Sequence, residues 1–130
     1  MFHIFNNQQE RRNYGGSEFL EFQYCRLEPG TGIKDIVAVH NINNWCNDSL
    51  YLHDDDVREF KKQYKDIFDN AIYNGLSQGP MDSYGINYYP PEQLENIISA
   101  IENEKPEEYE ILLEWLIKGK EYNGIYILGI

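Results

Sequence analysis

Ser49-Leu50-Tyr51-Leu52-His53-Asp54-Asp55-Asp56-Val57-Arg58-Glu59-Phe60 is the stretch where this chain changes its structural period. Ser49–His53 is short, apolar and aromatic, as a strand requires. After the three aspartates, Val57, Phe60, Tyr64, Ile67, Phe68 and Ala71 recur at steps of three and four, which places them on one helical stripe. The aspartates suit a helix start, one as a cap and the others against the positive end of the helix dipole. Lys61, Lys62 and Lys65 fall off the stripe, and Asn74-Gly75 is the expected stop.

Upstream, the chain reads as strands. Phe2–Phe5 is an apolar opening suited to a sheet edge, and polar Asn6–Ser17, ending in Gly15-Gly16, reads as a loop. In Glu18–Leu27, Leu20, Phe22 and Tyr24 share one face while Glu21 and Gln23 share the other. The turn cluster Glu28-Pro29-Gly30-Thr31-Gly32 leads to Ile33–Ile42, whose run Ile36-Val37-Ala38-Val39 predicts a second, covered strand in an antiparallel meander.

Downstream, Leu76–Tyr89 is irregular. Pro90-Pro91 then opens a helix striped by Leu94, Ile97, Ile98 and Ile101. Lys105-Pro106 starts another, with Tyr109, Leu112, Leu113 and Leu116 on one stripe and Ile111 and Trp115 on a second. Asn123-Gly124 ends it, and Ile125–Ile130 reads as a buried final strand. Strands first and helices after define an α+β fold: a mainly antiparallel sheet with about three helices packed on one face. No repeat or linker divides the 130 residues, so one domain is expected.

The composition narrows function. Twenty-two acids face eleven bases, a net charge of −11, which disfavours nucleic acid or an anionic membrane as a direct ligand. An acidic field instead draws cations or basic proteins, although it also serves solubility alone. Two cysteines, Cys25 and Cys46, make no CxxC pair and are expected as free thiols in a reducing cytoplasm. The N-terminus has no signal-like apolar run, and no stretch has the length of a membrane span.

Catalytic motifs are sparse. His3, His40 and His53 lack the spacing of a zinc site, although His40 and His53 could converge with a cysteine through folding. Cys46, beside Trp45 in a turn, is the better thiol nucleophile, and a small thiol- or metal-dependent hydrolase is the enzymatic alternative. Asp54-Asp55-Asp56 lacks the alternating ligands of a calcium loop and reads as a helix start. No cofactor or metal is expected.

Binding features are stronger. Residues 1–53 carry net −2, residues 54–85 net −3 and residues 86–130 net −6, the last from nine acids against three bases. Glu102, Glu104, Glu107, Glu108 and Glu110 crowd one helix–helix junction. Tyr84, Tyr88 and Tyr89 are candidate anchors, since tyrosine combines a large rigid area with a polar tip; folding back onto the sheet is their other outcome.

Asn87-Tyr88-Tyr89-Pro90-Pro91-Glu92, the Ile-rich helix after it, Lys105-Pro106-Glu107-Glu108-Tyr109 and Asn123-Gly124-Ile125-Tyr126-Ile127-Leu128-Gly129-Ile130 together resemble bacterial toxin-immunity proteins. These are small cytosolic antidotes of polymorphic and contact-dependent growth-inhibition toxins. The likeness spans the last third of the chain and transfers no functional residue. It implies a stoichiometric inhibitor of a toxin domain, often a nuclease whose phosphate-holding site is basic. The expected site is thus an acidic surface carrying exposed tyrosines. Mimicry of nucleic-acid charge fits less well, because the acids cluster at 102–110 instead of lining an extended face.

Overall fold

A computed structural model describes residues 1–129, which form a seven-stranded, wholly antiparallel sheet with helices on both sides. The strands are β1 (Phe2–His3), β2 (Phe19–Tyr24), β3 (Leu50–His53), β4 (Ala71–Tyr73), β5 (Gln78–Gly79), β6 (Ile86–Tyr89) and β7 (Ile125–Leu128). Their spatial order is β1-β3-β2-β7-β6-β4-β5, so the last strand of the chain is the central one. Ile130, the end of the expected final strand, lies outside the described residues.

The helices are α1 (Gln8–Gly15), α2 (Ile33–Ile36), α3 (Asp54–Tyr64), α4 (Pro91–Glu104) and α5 (Tyr109–Lys118), with 3₁₀ turns at Val39–Asn41 and Gly119–Glu121. The three long ones share one sheet face, as the sequence predicts. Their Val57, Phe60, Tyr64, Leu94, Ile97, Ile98, Ile101, Leu112, Trp115 and Leu116 form one core with Leu20, Phe22, Leu50, Leu52, Ile125 and Ile127 of the sheet. Alternation along each strand sends the remaining residues to the opposite face. There Ile36 and Val37 pack with Ile72, Tyr88 and Tyr126, and Phe5 packs with Phe19 and Tyr51.

Four local expectations are corrected. Residues 6–17 contain α1, not only loop: Asn7 caps it by accepting the Glu10 N–H at 2.8 Å. It buries no residue, so it has no apolar stripe to read. Ile33–Ile42 forms α2 and a 3₁₀ turn instead of a strand, and the expected meander is absent. Only Ile36 and Val37 of that apolar run are buried, while Val39 is 69% exposed. The helix from Asp54 ends at Tyr64, and Ala71–Tyr73 pairs with β5 and β6, making Asn74-Gly75 a hairpin turn. Finally, His53 and not an aspartate caps α3, its Nδ1 accepting the Asp55 N–H at 3.1 Å.

Gly124 admits the chain to β7. Its φ is +86°, and a Cβ there would strike the Tyr89 carbonyl oxygen, whereas Gly16 at φ +72° has open space around it. Gly16→Ala should therefore cost about 1–3 kcal/mol for the positive-φ backbone alone. Gly124→Ala should cost at least about 3 kcal/mol, because overpacking adds to the backbone strain. Urea unfolding of both variants checks this, and equal losses would contradict the central placement of β7.

Candidate partner-binding surfaces

The acidic junction is built by the way α4 ends. Lys105 takes a left-handed conformation and closes α4 with its N–H on the Ile101 carbonyl at 2.8 Å. Pro106 is buried, and the Tyr64 hydroxyl donates to the Glu107 carbonyl at 2.7 Å, which pins the turn to α3. Glu108, also left-handed, pairs with the Met1 amino group at 2.8 Å. With the backbone held inward, Glu102, Glu104, Glu107, Glu108 and Glu110 all face solvent. Along α5, the half-exposed Ile111 and Ile117 lie among Glu110, Glu114 and Lys118, so the acids border apolar surface. Bases gather elsewhere on the helical side: Arg58 and Lys62 are exposed on α3, Lys65 just past its end, and Lys61 donates to Ser83 Oγ at 3.0 Å.

The tyrosines divide. Tyr84 is 81% exposed, but Tyr88 and Tyr89 are 1% and 0% exposed and are not surface anchors. The period of two along β6 explains this correction. Tyr88 points to one sheet face, beside Tyr126, and donates to the Asn123 carbonyl at 2.6 Å. Tyr89 points to the other, against Phe68, and donates to the Phe68 carbonyl at 3.1 Å. Burial pushes both phenols above their ordinary range. Tyr84 sits on a turn that Asp82 holds by accepting the Tyr84 N–H at 2.9 Å. Its backbone packs against Gly129, just past β7.

Tyr84 thus belongs to a second surface, a groove of about 460 Å³ on the face opposite the long helices. Arg11, Glu21, Val39, Ile42 and Leu128 line it with Tyr84. The chemical centre is Glu21, only 6% exposed. Its Oε2 accepts from Ser49 Oγ at 2.7 Å, Gln23 Nε2 at 2.9 Å, the Tyr51 hydroxyl at 3.1 Å and the Cys46 N–H at 3.2 Å. The single Tyr51 proton is shared with the Cys46 carbonyl at 3.0 Å, and the donors gathered on this one oxygen suit an ionised carboxylate. Burial nevertheless raises the carboxyl above its ordinary value, the hydrogen bonds opposing that shift. Sequence reasoning assigned Glu21 and Gln23 to a strand's polar face without foreseeing its cover. The available signal was Ser49 and Tyr51 on the neighbouring strand segment, a set of hydroxyls able to satisfy a buried acid.

The residues of a thiol or metal mechanism are placed differently. Cys46 Sγ lies 3.6 Å from Arg26 Nη1, and burial raises its thiol. Cys25 is buried against the Tyr126 hydroxyl at 3.5 Å. His40 is exposed on a 3₁₀ turn, His53 caps α3, and His3 packs on Tyr14 with ring centroids 4.5 Å apart. Asp54, Asp55 and Asp56 form the first turn of α3. Among the described residues no group of three His, Cys, Asp or Glu could hold a metal, and no helix is long and apolar enough to cross a membrane. Comparison with protein-family models, curated proteins and solved structures finds no match to this chain.

Glu21→Gln keeps the shape of the buried group and removes its titration. A carboxyl whose folded value is raised costs stability when ionised, and folding recovers that cost as pH falls through the folded value. The wild type should therefore gain on the Gln variant as pH drops from 7 towards the ordinary Glu range near 4.5. Paired urea melts across that interval measure the difference, in which the shared carboxylates largely cancel. A gain for the Gln variant on acidification would show that Glu21 is stabilised as an anion.

Proposed function

We propose that this protein is an immunity protein: a cytoplasmic, non-catalytic antidote that binds a cognate basic toxin domain, of nuclease type, and covers its substrate surface. The observation that carries the reading is the α4–α5 junction, where Glu102, Glu104, Glu107, Glu108 and Glu110 are all exposed within nine positions. Like charges so close repel one another, and a cationic partner turns that cost into attraction. A nuclease must hold phosphates with basic groups, so its active surface offers the complement. Half-exposed Ile111 and Ile117 beside these acids provide apolar area for the docked state, with charge at its border.

In this mechanism the glutamates steer the encounter, and exposed Tyr84 contributes an anchor from the second surface. Steering acts on the association rate and is screened by salt, whereas anchoring acts on dissociation. Replacing Glu102, Glu104, Glu107 and Glu110 with Gln should slow association about ten-fold at low salt with little change in dissociation. Tyr84→Ala should raise the off-rate. Stopped-flow binding to a basic nuclease toxin domain whose killing of cells this chain relieves on co-expression tests both. An on-rate indifferent to salt and to the four glutamines would remove the electrostatic basis of the proposal.

A further inference from the structure

Glu21 ends in an asymmetry that the fold does not require. Every protein hydrogen bond it accepts goes to Oε2, and among the described residues Oε1 has no partner. The residue is 94% buried, yet it lines an open groove, so that oxygen is a free acceptor held in a low-dielectric wall. A rigid acceptor of this kind needs no reorganisation to receive a donor. Arg11 lines the same groove and its charge favours the ionised Glu21 from a distance, without forming an ion pair with it. Its guanidinium lies 5.6 Å from the Tyr51 ring centroid, and no acid of the described residues is within 4.0 Å of it. Arg11 Nε is itself shielded and without a hydrogen-bond partner.

The rim is independent of this chemistry and points the same way. Tyr84, 81% exposed, and Val39, 69% exposed, are the two most exposed large apolar side chains described, and both border this groove. An exposed aromatic and an aliphatic side chain around a buried polar centre form an anchor pocket for one projecting residue. We infer that the groove receives a single basic side chain from a loop of the partner. Its guanidinium or ammonium donates to Glu21 Oε1, its stem packs on Val39 and Tyr84, and an adjacent main-chain carbonyl accepts from Arg11. This inference rests on the partner being a basic protein, and it adds where and how one of its residues is held. It also gives Tyr84 a role separate from the acidic junction.

The test needs no toxin. N-acetyl-arginine N-methylamide is titrated into the ¹⁵N-labelled full chain and followed by amide chemical shifts. N-acetyl-citrulline N-methylamide serves as the neutral isostere. Saturable shifts at Asn43, Asn44, Gly85 and Gly129 are expected with the arginine compound, at least about five-fold weaker with citrulline, in keeping with a charge-assisted hydrogen bond. Glu21→Gln should weaken the arginine response by a similar factor. Tyr84→Ala, a change at an exposed site that leaves the core intact, should weaken it as well and keeps the test decisive if the Glu21 variant fails to fold. Equal responses to the two compounds, or shifts confined to the α4–α5 junction, would overturn the groove assignment. Neither result would touch the antidote reading, which the co-expression rescue decides separately.

Discussion

Strand β7 is hydrogen-bonded on both sides, to β2 and to β6, and is covered on both faces. Among the described strands no other pairs with both halves of the sheet: β1, β3 and β2 lie on one side of it and β6, β4 and β5 on the other. The strand must therefore be apolar in both directions. Ile125 and Ile127 enter the core under the long helices, while Tyr126 enters the opposite cluster. Tyr126 also donates to the Ile36 carbonyl at 2.7 Å, which ties the segment between β2 and β3 onto the second face. A late segment closing the sheet between strands made much earlier raises the share of distant contacts, a topology that slows folding.

The two faces are covered unequally, and the candidate surfaces follow from that. Three long helices seal the first face with aromatic packing, including Tyr24 stacked on Trp115 at 4.1 Å. Their outward sides and their junction are left for charge. The second face is covered by short helices and turns, which cannot close over the whole sheet. What they leave open is the groove, and the polar residues on that face become its wall. Glu21 is tolerable there because Gln23, Ser49, Tyr51 and the Cys46 amide supply the hydrogen bonds that water would otherwise give. The acidic junction and the groove are thus two consequences of one layered design, with exposed charge on one side and an open recess on the other.

The sequence made the long elements legible and the short ones obscure, for physical reasons. Leu94, Ile97, Ile98 and Ile101 form an unambiguous stripe after Pro90-Pro91, and α4 begins and ends close to where those residues imply. Ile33–Ile42 has apolar residues in a run too short to distinguish a covered strand from a helical turn, and the glycines before it permit either. Tyr88 and Tyr89 carry the same side chain as Tyr84 but sit in a strand with neighbours on both faces, so burial took them while the turn released Tyr84. The five glutamates were readable as a surface because nothing in the fold could satisfy so many buried charges. Glu21 read as one more polar residue of a strand: its distinction comes from Ser49, Tyr51 and Cys46, all of which are remote in sequence.

Hydrogen–deuterium exchange of the chain, alone and saturated with a basic nuclease toxin domain that it neutralises on co-expression, tests the proposed docking most directly. The account predicts slowed exchange at residues 102–114, at the turn around Tyr84 and at residues 39–44, with α3's outward basic side unchanged. Protection confined to α3, or none at any of these segments, would contradict it.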